Sequence, residues 1–118
     1  MSLITHAYVR APDGATQELP AEPPRNDLAG PERWRVTVYG SEVARALGLT
    51  LLPTLTAQDI FAEGAQLDVL EREVQVLLGN TGRWPTISLD ELRFRLLNIL
   101  EAIRLARAAP SGGGVYLG

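Results

Sequence analysis

A chain of 118 residues that is 46% hydrophobic and 21% charged has the length and composition of one globular domain, and a domain of this size can bury roughly two-thirds of its unfolded surface. It contains no cysteine, which excludes disulfides, thiolate nucleophiles and cysteine-ligated zinc; all 11 basic residues are arginine, which excludes a lysine Schiff base or a phosphate-binding lysine. A formal charge of −3 argues against a nucleic-acid surface, where a basic footprint is expected.

Along the chain, residues 3–10 alternate apolar and polar and predict a strand, followed by turn chemistry at Pro12-Asp13-Gly14. Residues 20–32 carry Pro20, Pro23, Pro24 and Pro31 among polar residues and predict a long loop. Residues 34–39 predict a second strand, with Trp34, Val36 and Val38 on one face. Ser41 can cap a short helix over 42–47 that stops at Gly48, and the apolar stretch 49–55, broken by Pro53, reads as a buried connector. Thr56 and Asp59 stand at capping-box spacing and predict a short helix interrupted by Gly64. Leu67, Leu70, Val74 and Leu77 then recur at helical spacing up to Gly79-Asn80.

The strongest signal follows. Ser88 to Glu91 forms a capping box, and Leu89, Leu92, Leu96, Ile99, Ile103 and Ala106 trace one helical stripe that ends before Pro110. Residues 110–118 predict a hinge at 111–114 and a tail that is flexible or forms an edge strand. The expected fold is α+β: one domain over 1–118, with a small, mainly antiparallel sheet of two to three strands packed in two layers against two main helices. No window approaches the ~18 apolar residues of a membrane span, and residues 1–16 lack the basic and apolar regions of a signal peptide, so a cytoplasmic location is expected.

A search for chemistry finds little. His6 is the only histidine, so a triad or multi-histidine metal site would rest on one side chain. Gly112-Gly113-Gly114 follows a helix and precedes none, which is the wrong order for a phosphate loop. Asp59 and Glu63 are four apart and would share a helix face, the one place where carboxylates could hold Mg²⁺. No catalytic set, metal site or cofactor is expected.

Two features point toward a partner instead. Residues 59–73 are acidic, with Asp59, Glu63, Asp68, Glu71 and Glu73 against Arg72 alone, and charge of this kind complements a basic protein. On the last predicted helix, Phe94, Asn98 and Leu105 lie opposite the main stripe, either covered by the proline-rich loop or the short helix or facing an oligomer or partner. The expected function is a non-enzymatic protein-binding domain of a bacterial cell. It would be a toxin-neutralising, immunity-type protein or a subunit of an assembly, contacting its partner through Asp59, Glu63, Asp68, Glu71, Phe94 and Leu105. Two alternatives remain open. One is a small ligand-binding domain or enzyme that uses Asp59, Glu63 and His6 under the proline-rich loop. The other is a homo-oligomeric structural protein that uses Phe94 and Leu105.

Overall fold

The computed structural model describes residues 1–118 and is α+β. Its sheet is antiparallel and has five strands: β1 (Ser2–Arg10), β2 (Thr16–Leu19), β3 (Leu28–Pro31), β4 (Ile60–Glu63) and β5 (Gly114–Leu117). The three α-helices are α1 (Glu42–Ala46), α2 (Ala65–Leu78) and α3 (Leu89–Ala108). The expected two to three strands were too few, because four of the five have only four residues each and leave little periodicity to read.

The order across the sheet is β2-β1-β5-β4, and β3 pairs with the opposite end of β1 from β2 on the same edge. The long β1 is thus the central strand. Leu3, Thr5 and Ala7 of β1, Ile60 and Ala62 of β4, and Val115 and Leu117 of β5 are buried. The alternate residues of each strand occupy the outer face. Helix α3 packs along β1, β3 and β5, and α2 packs on α3 and β4. The stripe of α3 is buried as its periodicity demands at Leu92, Leu96, Ile99, Ile103 and Ala106, whereas Leu89, in the first turn, is 55% exposed.

The helix signals operate locally. The Ser41 side chain accepts a hydrogen bond from the Ala44 amide and opens α1, and the Ser88 side chain accepts from the Glu91 amide and opens α3. Gly48 has φ +90°, which an L side chain rarely adopts, so the chain turns there after α1. No helix is long and apolar enough to cross a membrane.

Three elements differ from their sequence-based expectation. Residues 34–39 are not a strand: Arg35–Tyr39 form one π-helical turn. Trp34, Val38 and Tyr39 are buried and Val36 is 62% exposed. The spacing i, i+4, i+5 suits a helical turn, and Trp34 and Val38 satisfy period 2 and period 4 alike. The Tyr39 hydroxyl donates to the Ala29 carbonyl at 2.7 Å, and the Trp84 indole donates to the Thr37 carbonyl at 2.8 Å. Tertiary contacts therefore override the β-branched propensity.

The Thr56/Asp59 box opens no helix. A 3₁₀ turn, Leu52–Thr56, ends there, and β4 runs up to Gly64, whose φ of +59° turns the chain into α2. Asp59 and Glu63 accordingly flank a strand rather than share a helix face. Finally, the C-terminal segment is neither a hinge-borne tail nor an edge: β5 lies between β1 and β4, and Gly118 exchanges two backbone hydrogen bonds with Ile4, each 3.0 Å. The expected loop 20–32 likewise ends in β3.

Candidate interaction face

The outer face of the sheet carries a row of neighbouring rings. His6 of β1, Tyr116 of β5 and Phe61 of β4 are cross-strand neighbours in the ladder. The His6 and Tyr116 rings stack at 5.2 Å, and the Tyr116 and Phe61 rings lie 5.1 Å apart. Tyr8 meets Phe61 edge to face at 6.4 Å. Phe61 is 56% exposed, so the row presents apolar area to solvent at its β4 end. Such pairs add roughly 0.5–1.5 kcal/mol each beyond the area they bury.

Two clusters of the same composition bracket this row, one over each glycine that flanks Tyr116. Over Gly114, the Glu63 carboxylate accepts from the Tyr8 hydroxyl and from Arg10 at 2.8 Å. Over Gly118, the Asp59 carboxylate accepts from the Tyr116 hydroxyl at 2.8 Å and from Arg35 at 2.8 Å. Arg35 also binds Glu32 and donates to the Leu55 carbonyl at 3.0 Å, which ties the π-helical turn to the sheet. The glycines are required. A Cβ on Gly114 would stand 2.5 Å from the Tyr8 ring and 2.7 Å from Glu63, and one on Gly118 would stand 2.3 Å from Asp59.

Protonation follows from these contacts. Burial, and then the Glu63 carboxylate, push the Tyr8 hydroxyl up to about 12. Burial and then Asp59 raise Tyr116. The Tyr8 hydroxyl and then Arg10 hold the Glu63 carboxyl below its ordinary value, and Arg35 followed by Tyr116 does the same for Asp59. The tyrosines are therefore neutral donors and the carboxylates charged acceptors across the neutral range.

The acidic stretch is thus not a bare patch. Asp59 and Glu63 are bound as described, and Asp68 and Glu71 on α2 both hold Arg107 of α3, at 2.5 and 2.9 Å. Glu73 is 1% exposed and accepts from the backbone amides of Thr50, Leu51 and Leu52 at 2.8–3.1 Å, fixing the connector before β4. Asp59 and Glu63 stand at opposite ends of β4, about 13 Å apart along the strand, too far to ligate one ion.

Phe94 and Leu105 are half-buried on α3. The Arg25 guanidinium, from the proline-rich segment, lies 4.6 Å from the Phe94 ring centre. Asn98 between them is buried; its amide donates to the Asn26 side chain at 2.7 Å and the Leu28 carbonyl at 2.8 Å, and its oxygen accepts from the Asn26 amide. This side of α3 is covered by the proline-rich segment. His6 lies at the cleft under that segment, but Asp59 and Glu63 do not line it. The rings of the outer face, Tyr8, Phe61 and Tyr116, were not among the expected contact residues. The period-2 spacing of Phe61 and Glu63 was the available signal.

The chain matches no family model, no curated protein and no solved structure.

Proposed function

We propose that this chain is a non-enzymatic protein-binding domain and that its contact surface is the outer sheet face centred on Phe61 and Tyr116. The observation that carries this reading is the half-solvated row of contacting rings held between the two Arg–carboxylate–Tyr clusters. Binding hot spots are enriched in aromatic and arginine side chains, ringed by polar groups that exclude water. The other large exposed apolar side chains, Met1, Val36 and Leu89, belong to separate elements and form no such row. A partner that fits presents an apolar anchor for Phe61 and polar groups toward the two Arg–carboxylate–Tyr clusters. A toxin-neutralising protein and an assembly subunit are two forms of this reading, and the partner's identity separates them.

The test is affinity capture of the tagged chain from its source cells, repeated with a Phe61→Ser, Tyr116→Ser double variant and with Leu89→Ser as control. One stoichiometric protein held by the wild type and the control, and lost by the double variant, is the expected result. Retention of that protein by the double variant overturns the assignment. Sedimentation of the purified chain distinguishes a second copy as the partner, because only then does the mass double with concentration.

A further inference from the structure

In an antiparallel ladder, successive residues turn their backbone groups alternately to one side of the strand and the other. Ile4 and Gly118 exchange both of their backbone bonds, which sets the phase of β5. Tyr116 and Gly114 therefore bond toward β1, and Leu117 and Val115 bond toward β4. The residues of β4 opposite those two are Ile60 and Ala62. The amides and carbonyls of Phe61 and Glu63 thus point away from β5, off the open side of the sheet, because β4 is an edge strand.

No loop or turn backbone takes up these outward groups. Phe61 is 56% exposed, and Glu63 is exposed beside it. The opposite edge is blunted: β3 holds Pro31 and a register shift, and Pro20 follows β2. β4 has no proline and pairs in unbroken register. An edge without such devices is a template for another strand.

We propose that the partner adds an extended segment to β4 as a further strand of the sheet, a proposal that rests on the outer face being the contact surface. Phe61 and Glu63 present donor–acceptor pairs two residues, about 6.8 Å, apart, and an extended chain offers complementary pairs at the same repeat. A helix does not, because it uses its backbone groups internally. The side chain set opposite Phe61 falls on the outer face and continues the row of rings, so an aromatic or β-branched residue fits there. Two positions to either side, the segment meets Asp59 and Glu63, which already hold Arg35 and Arg10, so uncharged polar residues fit. A second copy of the chain fits less well. Two-fold pairing centred on Phe61 would set Asp59 of each copy opposite Glu63 of the other, and like charges directly opposed destabilise a ladder.

The experiment titrates the ¹⁵N-labelled full chain with the capped peptide acetyl-Thr-Ser-Thr-Ile-Thr-Ser-Thr-amide and follows amide shifts and hydrogen exchange. Saturable shifts and slowed exchange at Phe61 and Glu63 are expected, with little change at Ile60 and Ala62, which already bond to β5. Methylating the peptide's isoleucine nitrogen should weaken binding about tenfold or more, whereas methylating the threonine nitrogen just before it, which faces away from β4, should not. Absence of saturable shifts, or equal effects of the two methylations, overturns the proposal. Shifts at His6, Tyr8 and Tyr116 without protection of Phe61 and Glu63 also overturn it, while leaving the face itself as the contact surface. Protection of the same two amides without peptide, together with a doubled mass in sedimentation, would give the edge to a second copy and overturn the assigned occupant.

Discussion

Tyr116 donates its hydroxyl to Asp59 at 2.8 Å across the β5–β4 pair, directly over the one position, Gly118, where a side chain would block the contact. The ring that lies between His6 and Phe61 is thereby fixed at its polar end as well as by its ring contacts. A surface ring already held in one rotamer loses less freedom when a partner covers it. On the proposed reading, the carboxylate serves the sheet face by orienting Tyr116, without itself having to touch a partner.

Tyr116→Phe tests that arrangement. The substitution keeps the stacked ring and removes one hydrogen bond, while Asp59 retains Arg35. A loss of about 1 kcal/mol in unfolding free energy is expected, measured by urea denaturation with an unchanged m-value. Tyr116→Ala removes the ring as well and should weaken partner capture far more than Tyr116→Phe does.

Gly114→Ala should damage the same face through the backbone side. Its Cβ would stand 2.5 Å from the Tyr8 ring and 2.7 Å from Glu63, and Tyr8 is packed on all sides. Moving that pair costs about 1–3 kcal/mol by overpacking. Gly82→Ala is the control, because its Cβ would meet nothing within 4 Å and its φ is not positive. Thermal unfolding of both variants checks the difference.

Glu73 anchors the chain between α1 and β4. Its carboxylate accepts from three consecutive backbone amides, Thr50 to Leu52, and no arginine pairs with it. Glu73→Ala leaves those donors without a partner and should cost about 3 kcal/mol; Glu73→Gln keeps one acceptor oxygen and should cost less. Urea denaturation gives the ranking, wild type above Gln above Ala.

The parts of the fold that were legible in the sequence are those whose signals are local. Ser41, Ser88 and the stripe from Leu92 to Ala106 act within one or two turns, and α1 and α3 start and end near where they predict. The parts that were not legible depend on partners far along the chain. Nothing near Val115 shows that it will pair with Ala7 on one side and Ala62 on the other. In Ile60–Glu63 four residues of alternation are outweighed by capping-box spacing at Thr56 and Asp59. The acidic run was visible, but the neutralising arginines, Arg10, Arg35 and Arg107, lie 24 to 53 residues away from the carboxylates they bind. The aromatic face was invisible because Tyr8, Phe61 and Tyr116 come from three separate strands.

Asn98 tests how the proline-rich segment is held. Its side chain makes three hydrogen bonds to Asn26 and Leu28 from a buried position on α3. Asn98→Ala should cost about 2 kcal/mol and speed amide exchange in residues 20–28 more than in β1 or α3. Uniform exchange across the molecule would show that the segment is held mainly by other contacts.

The two outer-face carboxylates set an acid limit on stability. Asp59 and Glu63 have folded values depressed below their ordinary 3.8 and 4.5, so the unfolded chain binds more protons as the pH falls. Their contribution is complete above about pH 5 and is lost as the pH drops through the depressed folded values. Their side chains are 40% and 43% exposed, so solvent screening limits each to less than about 1 kcal/mol. An Asp59→Asn, Glu63→Gln double variant should accordingly be less stable than the wild type at pH 7, with the two stability curves converging toward pH 3. Unfolding free energies measured by urea denaturation at a series of pH values decide the matter. Curves that run parallel from pH 7 to pH 3 would assign the loss to packing and hydrogen-bond geometry rather than to the carboxylate charges.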